Sequence, residues 1–155
     1  MTSDDYMHTA TGIGMIGFIV MLATMIGDDR VLFLGQLRSD WPMPVSAGFG
    51  AFCSGLVTGG LFGRRGVAGG ALAGFGAFLS TGLGSAIGGA VCFSLQGGMM
   101  ESPVSGLILG PVFVAHALVQ STEVLMTWVG CFMALHLEVG RGRLDEAIPG
   151  NSGFP

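Results

Sequence analysis

Hydrophobic residues are grouped along the chain into four long runs that are separated by short polar segments. The runs comprise residues 9–27, 44–63, 66–95 and 104–137. The first three contain no charged residue. An α-helix needs about 20 apolar residues to cross roughly 30 Å of hydrocarbon, and every run reaches that length. The pattern therefore predicts an all-α fold, an integral membrane bundle of about four transmembrane helices.

The third and fourth runs are longer than a single crossing requires. The third begins with a glycine-rich stretch, and Gly110-Pro111 could begin or kink a helix inside the fourth. We therefore expect spans at residues 9–27, 44–63, 68–95 and 112–137, within one transmembrane domain over residues 1–137. An alternative with five spans places a turn at Gln120–Glu123.

The polar segments differ in character. Residues 28–43 place Arg30 and Arg38 around an apolar run and Trp41 ahead of two prolines, which is typical of an interfacial segment. Only residues 63–66 join the second and third spans, so these spans are expected to be antiparallel neighbours. Residues 138–155 form a polar C-terminal tail with no apolar period, which predicts an extension outside the membrane.

The arginines predict the orientation of the chain, because positive charge near span ends favours the cytoplasmic side. With both termini inside, four arginines face the cytoplasm: Arg64, Arg65, Arg141 and Arg143. Arg30 and Arg38 then lie outside, among three aspartates. A multi-pass membrane protein with both termini in the cytoplasm is therefore expected.

Composition excludes several classes of protein. Half of the 155 residues are hydrophobic and only 10% are charged, whereas about a quarter are charged in an average soluble domain. The formal net charge is -4, so no basic face for nucleic acid is predicted. Cys53, Cys92 and Cys131 are widely separated and predict packing thiols instead of disulfides. The expected partners are the lipid bilayer and other membrane subunits or copies of this chain.

Glycine recurs at every fourth position in the second and third runs. The positions concerned are Gly55, Gly59, Gly63, Gly66, Gly70, Gly74, Gly84 and Gly88. Such spacing lets helix backbones approach closely in a membrane. We expect glycine-zipper packing through these positions, either between the second and third spans or against another chain. Compositional bias in a chain with 29 glycines is the alternative explanation.

One hexapeptide occurs twice. The sequence AGFGAF at residues 47–52 returns unchanged at residues 73–78, and a serine follows each copy at the same offset, at Ser54 and Ser80. An exact repeat in neighbouring antiparallel spans predicts a pseudo-symmetric pair of helices. Chance repetition in a sequence rich in Gly, Ala and Phe is the alternative.

A single carboxylate lies inside the last predicted span. Glu123 is close to the middle of residues 112–137, where an unpaired charge costs several kcal/mol, so we expect it to be protonated, paired or next to a polar cavity. His116 and Gln120 precede it by seven and three residues and would share its helix face, with Thr122 adjacent. These residues form a candidate proton-binding site. In the five-span alternative they belong to an interfacial turn.

Other site chemistry has little basis in the sequence. His116 is a weak candidate for a haem or pigment ligand, because imidazole is a usual axial ligand. His136 lies roughly 30 Å further along the predicted helix, so the two cannot hold one macrocycle. The sequence has no zinc-ligand spacing, phosphate loop or nucleophile elbow. We therefore expect no catalytic residue, no metal site and no required cofactor, and the chain is not expected to be an enzyme by itself.

The second half of the chain has a recognisable order of features. A glycine-rich helix is followed by a polar loop at residues 96–103 that ends in Pro103, and then by a helix in which Glu123 follows Thr122 and precedes Trp128 by five residues. The glycines concerned are Gly74, Gly76, Gly82, Gly84, Gly88 and Gly89. This order, over residues 73–137, resembles the helical hairpin of the rotor-ring proteolipid, subunit c, of F-type and V-type ATP synthases. The resemblance implies a ring of subunits that carries protons on Glu123.

Three functions are consistent with these features. The first is a close-packed subunit of a multi-subunit membrane complex, of the bioenergetic kind that the resemblance implies, with Glu123 as a proton-binding carboxylate. The second is a small channel, pore or transporter lined by Glu123 and Gln120. The third is a purely structural accessory subunit that docks through its glycine faces.

Overall fold

The structure, a computed structural model, describes residues 3–28, 40–96 and 102–147. All regular secondary structure in these ranges is helical. The helices are α1 (Ser3–Asp28), α2 (Pro42–Thr58), α3 (Gly66–Gln96), α4 (Pro103–Gln120) and α5 (Thr122–Ala147). A short 3-10 helix, Gly59–Leu61, follows α2 directly. Most of the expected interfacial segment, including Arg30 and Arg38, lies outside the described residues.

Each of these helices contains an apolar stretch that is long enough to cross a membrane. The stretches are Asp5–Ile26, Pro42–Leu61, Gly66–Leu95, Pro103–Gln120 and Thr122–Gly142. Their length and composition are those of a multi-pass membrane protein. The prediction of four helices is wrong for the described part of the chain, because residues 112–137 do not form one helix.

The interruption is a single residue, Ser121, whose backbone is extended (φ −118°, ψ 112°). Its N–H donates to Ala117 O in the last turn of α4, and its carbonyl accepts from Leu125 N in the first turn of α5. The Ser121 hydroxyl also accepts from Val124 N at 3.3 Å, which is the hydrogen bond of a helix N-cap. Ser121 therefore ends one helix and caps the next, close to the turn at Gln120–Glu123 in the five-span alternative.

The fourth helix begins earlier than predicted, at Pro103 instead of Val112. Ser102 is its N-cap, since its hydroxyl accepts from Ser105 N at 3.2 Å, and Pro103 occupies the first helical position, where no backbone donor is needed. Gly110-Pro111 lies inside α4 and does not start it. At the other end of the chain, α5 continues to Ala147, so residues 138–147 of the expected polar tail are helical.

Successive helices from α1 to α4 pack against their neighbours, and α5 returns to pack against α1. Gly88 lies against Ser46 and Ala47 of α2, whereas Gly76 lies against Leu61, so α2 and α3 are antiparallel, as predicted. Their link turns at Gly63 and Gly66, with φ of +73° and +78°, a region that favours glycine.

The two copies of the hexapeptide occupy equivalent positions in this antiparallel pair. Ser54 and Ser80, which follow the copies, are each 1% exposed, and their hydroxyl oxygens lie 3.0 Å apart. Gly50 packs against Gly88, and its counterpart Gly76 packs against Phe62. The two contacts are equivalent under the repeat, whose copies are 26 residues apart. Gly76 lies 26 residues after Gly50, and Gly88 lies 26 residues after Phe62. The α2–α3 pair is therefore related by a local pseudo-twofold axis through the serine pair.

Candidate functional site

The structure places the four candidate proton-site residues on both sides of the interruption at Ser121. His116 and Gln120 lie on α4, and Thr122 and Glu123 form the start of α5. All four side chains are exposed on the isolated chain. The prediction that His116, Gln120 and Glu123 share one face of a single helix is wrong, because the backbone at Ser121 is extended.

Contacts with α3 fix the level of these residues along the bundle. Trp128 Nε1 donates to Thr81 Oγ1 at 2.8 Å, and Thr81 is the central residue of the 31-residue helix α3. Glu123 precedes Trp128 by five residues, which is about 7.5 Å along α5. The start of α5 therefore lies near the level of the middle of α3.

The junction thus combines exposed polar side chains with an extended backbone residue at a level where α3 carries only uncharged residues. A carboxylate and an imidazole, which can exchange protons, are available there, together with a primary amide that can donate and accept hydrogen bonds. The Glu123 backbone carbonyl also accepts from Thr127 Oγ1 at 2.8 Å. No group of three or more His, Cys, Asp or Glu side chains that could hold a metal ion occurs among the described residues.

His136 has a separate structural contact. Its Nδ1 accepts from Gly63 N at 3.1 Å, so the imidazole of α5 binds the turn between α2 and α3. Val139, one turn further along α5, also lies against Gly63. His136 therefore contacts the end of the bundle and is distant from His116. No spacing in the sequence indicates this contact, because it depends on where α5 returns.

The candidate packing glycines fall into three groups. Gly55 and Gly59 lie against α1, and Gly84 and Gly88 lie against α2, where an added Cβ would meet backbone or side-chain atoms within about 3.3 Å. Gly63 and Gly66 are turn residues with positive φ. Gly70 and Gly74 are exposed, and a Cβ at either position would meet no atom within 4 Å.

The exposed glycines belong to a broad outer face of α3. Val67 is 93% exposed, Phe75 is 61% exposed and Phe78 is 69% exposed. Only Phe78 among these has a described aromatic neighbour, Trp128, at a centroid distance of 5.1 Å. Glycines four residues apart therefore occur both at helix contacts inside the chain and, as Gly70 and Gly74, on its surface without a contacting helix.

Close helix approach also depends on glycines outside the predicted set with four-residue spacing. A Cβ at Gly17 would overlap Ala51, one at Gly50 would overlap the backbone of Gly84 and Gly88, and one at Gly89 would overlap the backbone of Gly106. Gly106 and Gly110 have the four-residue spacing, which could have identified them. Gly17 and Gly50 could be recognised only from their partners.

Comparison with known proteins adds no family to these observations. No family model, no curated protein and no solved structure matches the chain.

Proposed function

We propose that this chain is a subunit of a larger membrane assembly and that its junction between α4 and α5 is covered there by another subunit or by a second copy of the chain. The observation that carries this proposal is the position of Glu123, which is exposed on the isolated chain yet lies about 7.5 Å from the level of the middle of α3.

Lipid is an unsuitable environment for this junction. A charged side chain at the bilayer centre costs at least about 2.5–3.5 kcal/mol, and residues of this kind face a bundle interior or a water-filled cavity. Glu123 is such a residue and is exposed on the isolated chain, which supports a covering partner.

The outer helices leave ample surface for such a partner. In their apolar stretches, 11% of the residues of α4 and 17% of those of α5 are buried, compared with 39% in α1 and in α2. The exposed glycines Gly70 and Gly74 add a face that a second helix could approach closely. These surfaces support assembly with other membrane subunits or copies of this chain.

Within this proposal, Glu123 is the proton-binding carboxylate, and Gln120 and His116 are its polar neighbours across the break. The resemblance of residues 73–137 to the rotor-ring proteolipid supports a bioenergetic context. The chain then contributes a proton site to a complex and requires no cofactor of its own.

A second candidate function is a small channel or transporter, and the broken helix at Ser121 favours it. Transporters bind substrates and ions at interruptions of this kind near the membrane midplane. Here Glu123 and Gln120 would line a water-filled path instead of an interface between subunits. A structural accessory subunit would need neither residue, and replacing both would leave its assembly intact.

Native mass measurement of the detergent-purified protein tests the assembly. Gly70→Leu should reduce the assembly to single chains of 15.9 kDa, because the Leu side chain would separate backbones that touch at this face. Gly142→Leu is the matched control, since Gly142 is an open glycine at the end of the apolar stretch of α5 and has no glycine four residues away. A wild-type mass of one chain would contradict the proposed assembly, and equal masses for both variants would contradict the use of the Gly70 face in it.

A further inference from the structure

A largely apolar cavity lies inside the bundle. Its volume is about 70 Å³, and all five α-helices contribute to its wall. The space exists because small residues line α2 and α3 at this level, among them Ala47, Ala51 and Gly84. A single water requires roughly 10–15 Å³ of such volume, so the cavity has room for several non-hydrogen atoms.

The polar groups in the wall are already engaged within the protein. Thr24, Thr81 and Ser85 donate to carbonyls of their own helices. The Trp128 indole N–H donates to Thr81 Oγ1. Ser54 donates to Ala51 O, so the hydroxyl hydrogen of the Ser54–Ser80 contact comes from Ser80.

These bonds decide what can occupy the cavity. None of the wall residues is charged, and each side-chain donor in the wall has an acceptor. A buried water requires two to four polar partners, so this wall offers little to hold one. An apolar occupant loses nothing by entering and gains the contacts that an empty space would forfeit.

The most exposed residue of the wall lies on α4. Phe113 is 49% exposed, whereas Ile13 of α1 is 1% exposed and Val124 of α5 is 2% exposed. The mouth of the cavity is therefore assigned to the surface beside Phe113. In a bilayer the molecules next to that mouth are the alkyl chains of lipids.

We propose that this cavity binds the alkyl chain of a surrounding membrane lipid, which enters past Phe113 and Ala117 and ends against the indole of Trp128. The occupant is unbranched hydrocarbon, and its polar headgroup stays outside the chain. The site does not use Glu123, but it requires that the surface of α4 beside Phe113, eight residues before Ser121, stays open to lipid in the proposed assembly.

Trp128 reports on the cavity directly, because it lines the wall and is only 7% exposed. Trp41→Phe leaves Trp128 as the sole tryptophan. The full-length variant is reconstituted in phosphatidylcholine vesicles with brominated acyl chains and in the same vesicles without bromine. The expected result is at least a twofold loss of Trp128 emission in the brominated vesicles, and iodide in the water phase should leave the emission unchanged.

Two further variants in the Trp41→Phe background test whether the cavity is the route. Ala117→Phe fills the mouth and should reduce the quenching at least twofold, whereas Val119→Phe, at a position 84% exposed outside the wall, should leave it unchanged. Val114→Phe replaces Ala117→Phe if circular dichroism shows that the latter is not helical. Equal quenching in the mouth and control variants, absent quenching, or quenching by iodide would overturn the proposal.

A second arm distinguishes lipid from free fatty acid, which offers the same alkyl chemistry. Dibromostearic acid is titrated into the protein in unbrominated detergent micelles. Saturable quenching that Ala117→Phe abolishes supports a site that accepts free acid as well as lipid. Quenching that rises linearly without saturation, alike in the parent and in Ala117→Phe, would show partitioning into the micelle alone and would overturn the site.

Discussion

The hydroxyl oxygens of Ser54 and Ser80 lie 3.0 Å apart at the centre of the contact between α2 and α3, and both residues are 1% exposed. Each serine follows one copy of the repeated hexapeptide at the same offset. The pair therefore marks the point about which the two helices are related, and it is the one direct side-chain hydrogen bond described between them.

This relationship predicts energetic coupling between the two serines. Ser54→Ala leaves the Ser80 hydroxyl without its acceptor in a buried site, and such a loss costs about 1–3 kcal/mol. Ser80→Ala should cost less, because Ser54 keeps its hydrogen bond to Ala51 O. The loss in free energy of unfolding in the double variant should be smaller than the sum of the two single losses by about 0.5–1.5 kcal/mol. Denaturation in detergent measures all three, and strictly additive losses would refute the coupling.

The glycine contact at the same interface predicts intolerance to a single methyl group. Gly50→Ala would force its Cβ into the backbone of Gly84 and Gly88, and overpacking of this kind costs about 1–3 kcal/mol. Gly82→Ala is the control, because Gly82 is exposed and a Cβ there meets no atom within 4 Å. Thermal melts should show a lower midpoint for Gly50→Ala alone. Equal midpoints would mean that α2 and α3 do not approach as closely as described.

The interruption between α4 and α5 predicts a specific dependence on the side chain at position 121. Ser121→Ala removes the acceptor for Val124 N and should cost about 1 kcal/mol, whereas Ser121→Asn, another good N-cap residue, should retain most of the stability. Ser94→Ala is a matched control, since Ser94 only donates to Ala90 O within its own helix. If Ser121→Ala unfolds no more easily than Ser94→Ala, the cap contributes nothing.

Much of the α2–α3 hairpin could be predicted from the sequence. Two uncharged runs joined by residues 63–66 leave no other arrangement than antiparallel neighbours, and the repeat indicated which residues are equivalent. The hydropathy of residues 104–137, in contrast, favoured one helix and left the turn at Gln120–Glu123 as an alternative. A single serine in an apolar run changes the mean hydropathy little, and its role depends on hydrogen bonds to Ala117 and Val124 that no periodicity reveals.

The glycine spacing also had limited meaning by itself. The same four-residue interval packs Gly55 and Gly59 against α1 and leaves Gly70 and Gly74 open. The spacing shows that a close approach is possible, but the partner is decided by how the helices are arranged in three dimensions. The sequence offered a turn at Gln120–Glu123 as an alternative, but only the structure shows that the break is at Ser121 and separates His116 and Gln120 from Glu123.

The most direct test of the account is carbodiimide labelling of Glu123 in native membranes, with labelled residues identified by mass spectrometry. Glu138, on the same helix but beside the α2–α3 turn that Val139 contacts, is the matched surface carboxylate. On the proposal that Glu123 lies at membrane depth in a covered interface, an apolar carbodiimide should label it, and a water-soluble one should label Glu138 but not Glu123. Glu123→Gln should abolish the apolar label, and Glu138→Gln should not. Labelling of both carboxylates by the water-soluble reagent, with none by the apolar one, would place Glu123 in water and contradict the account.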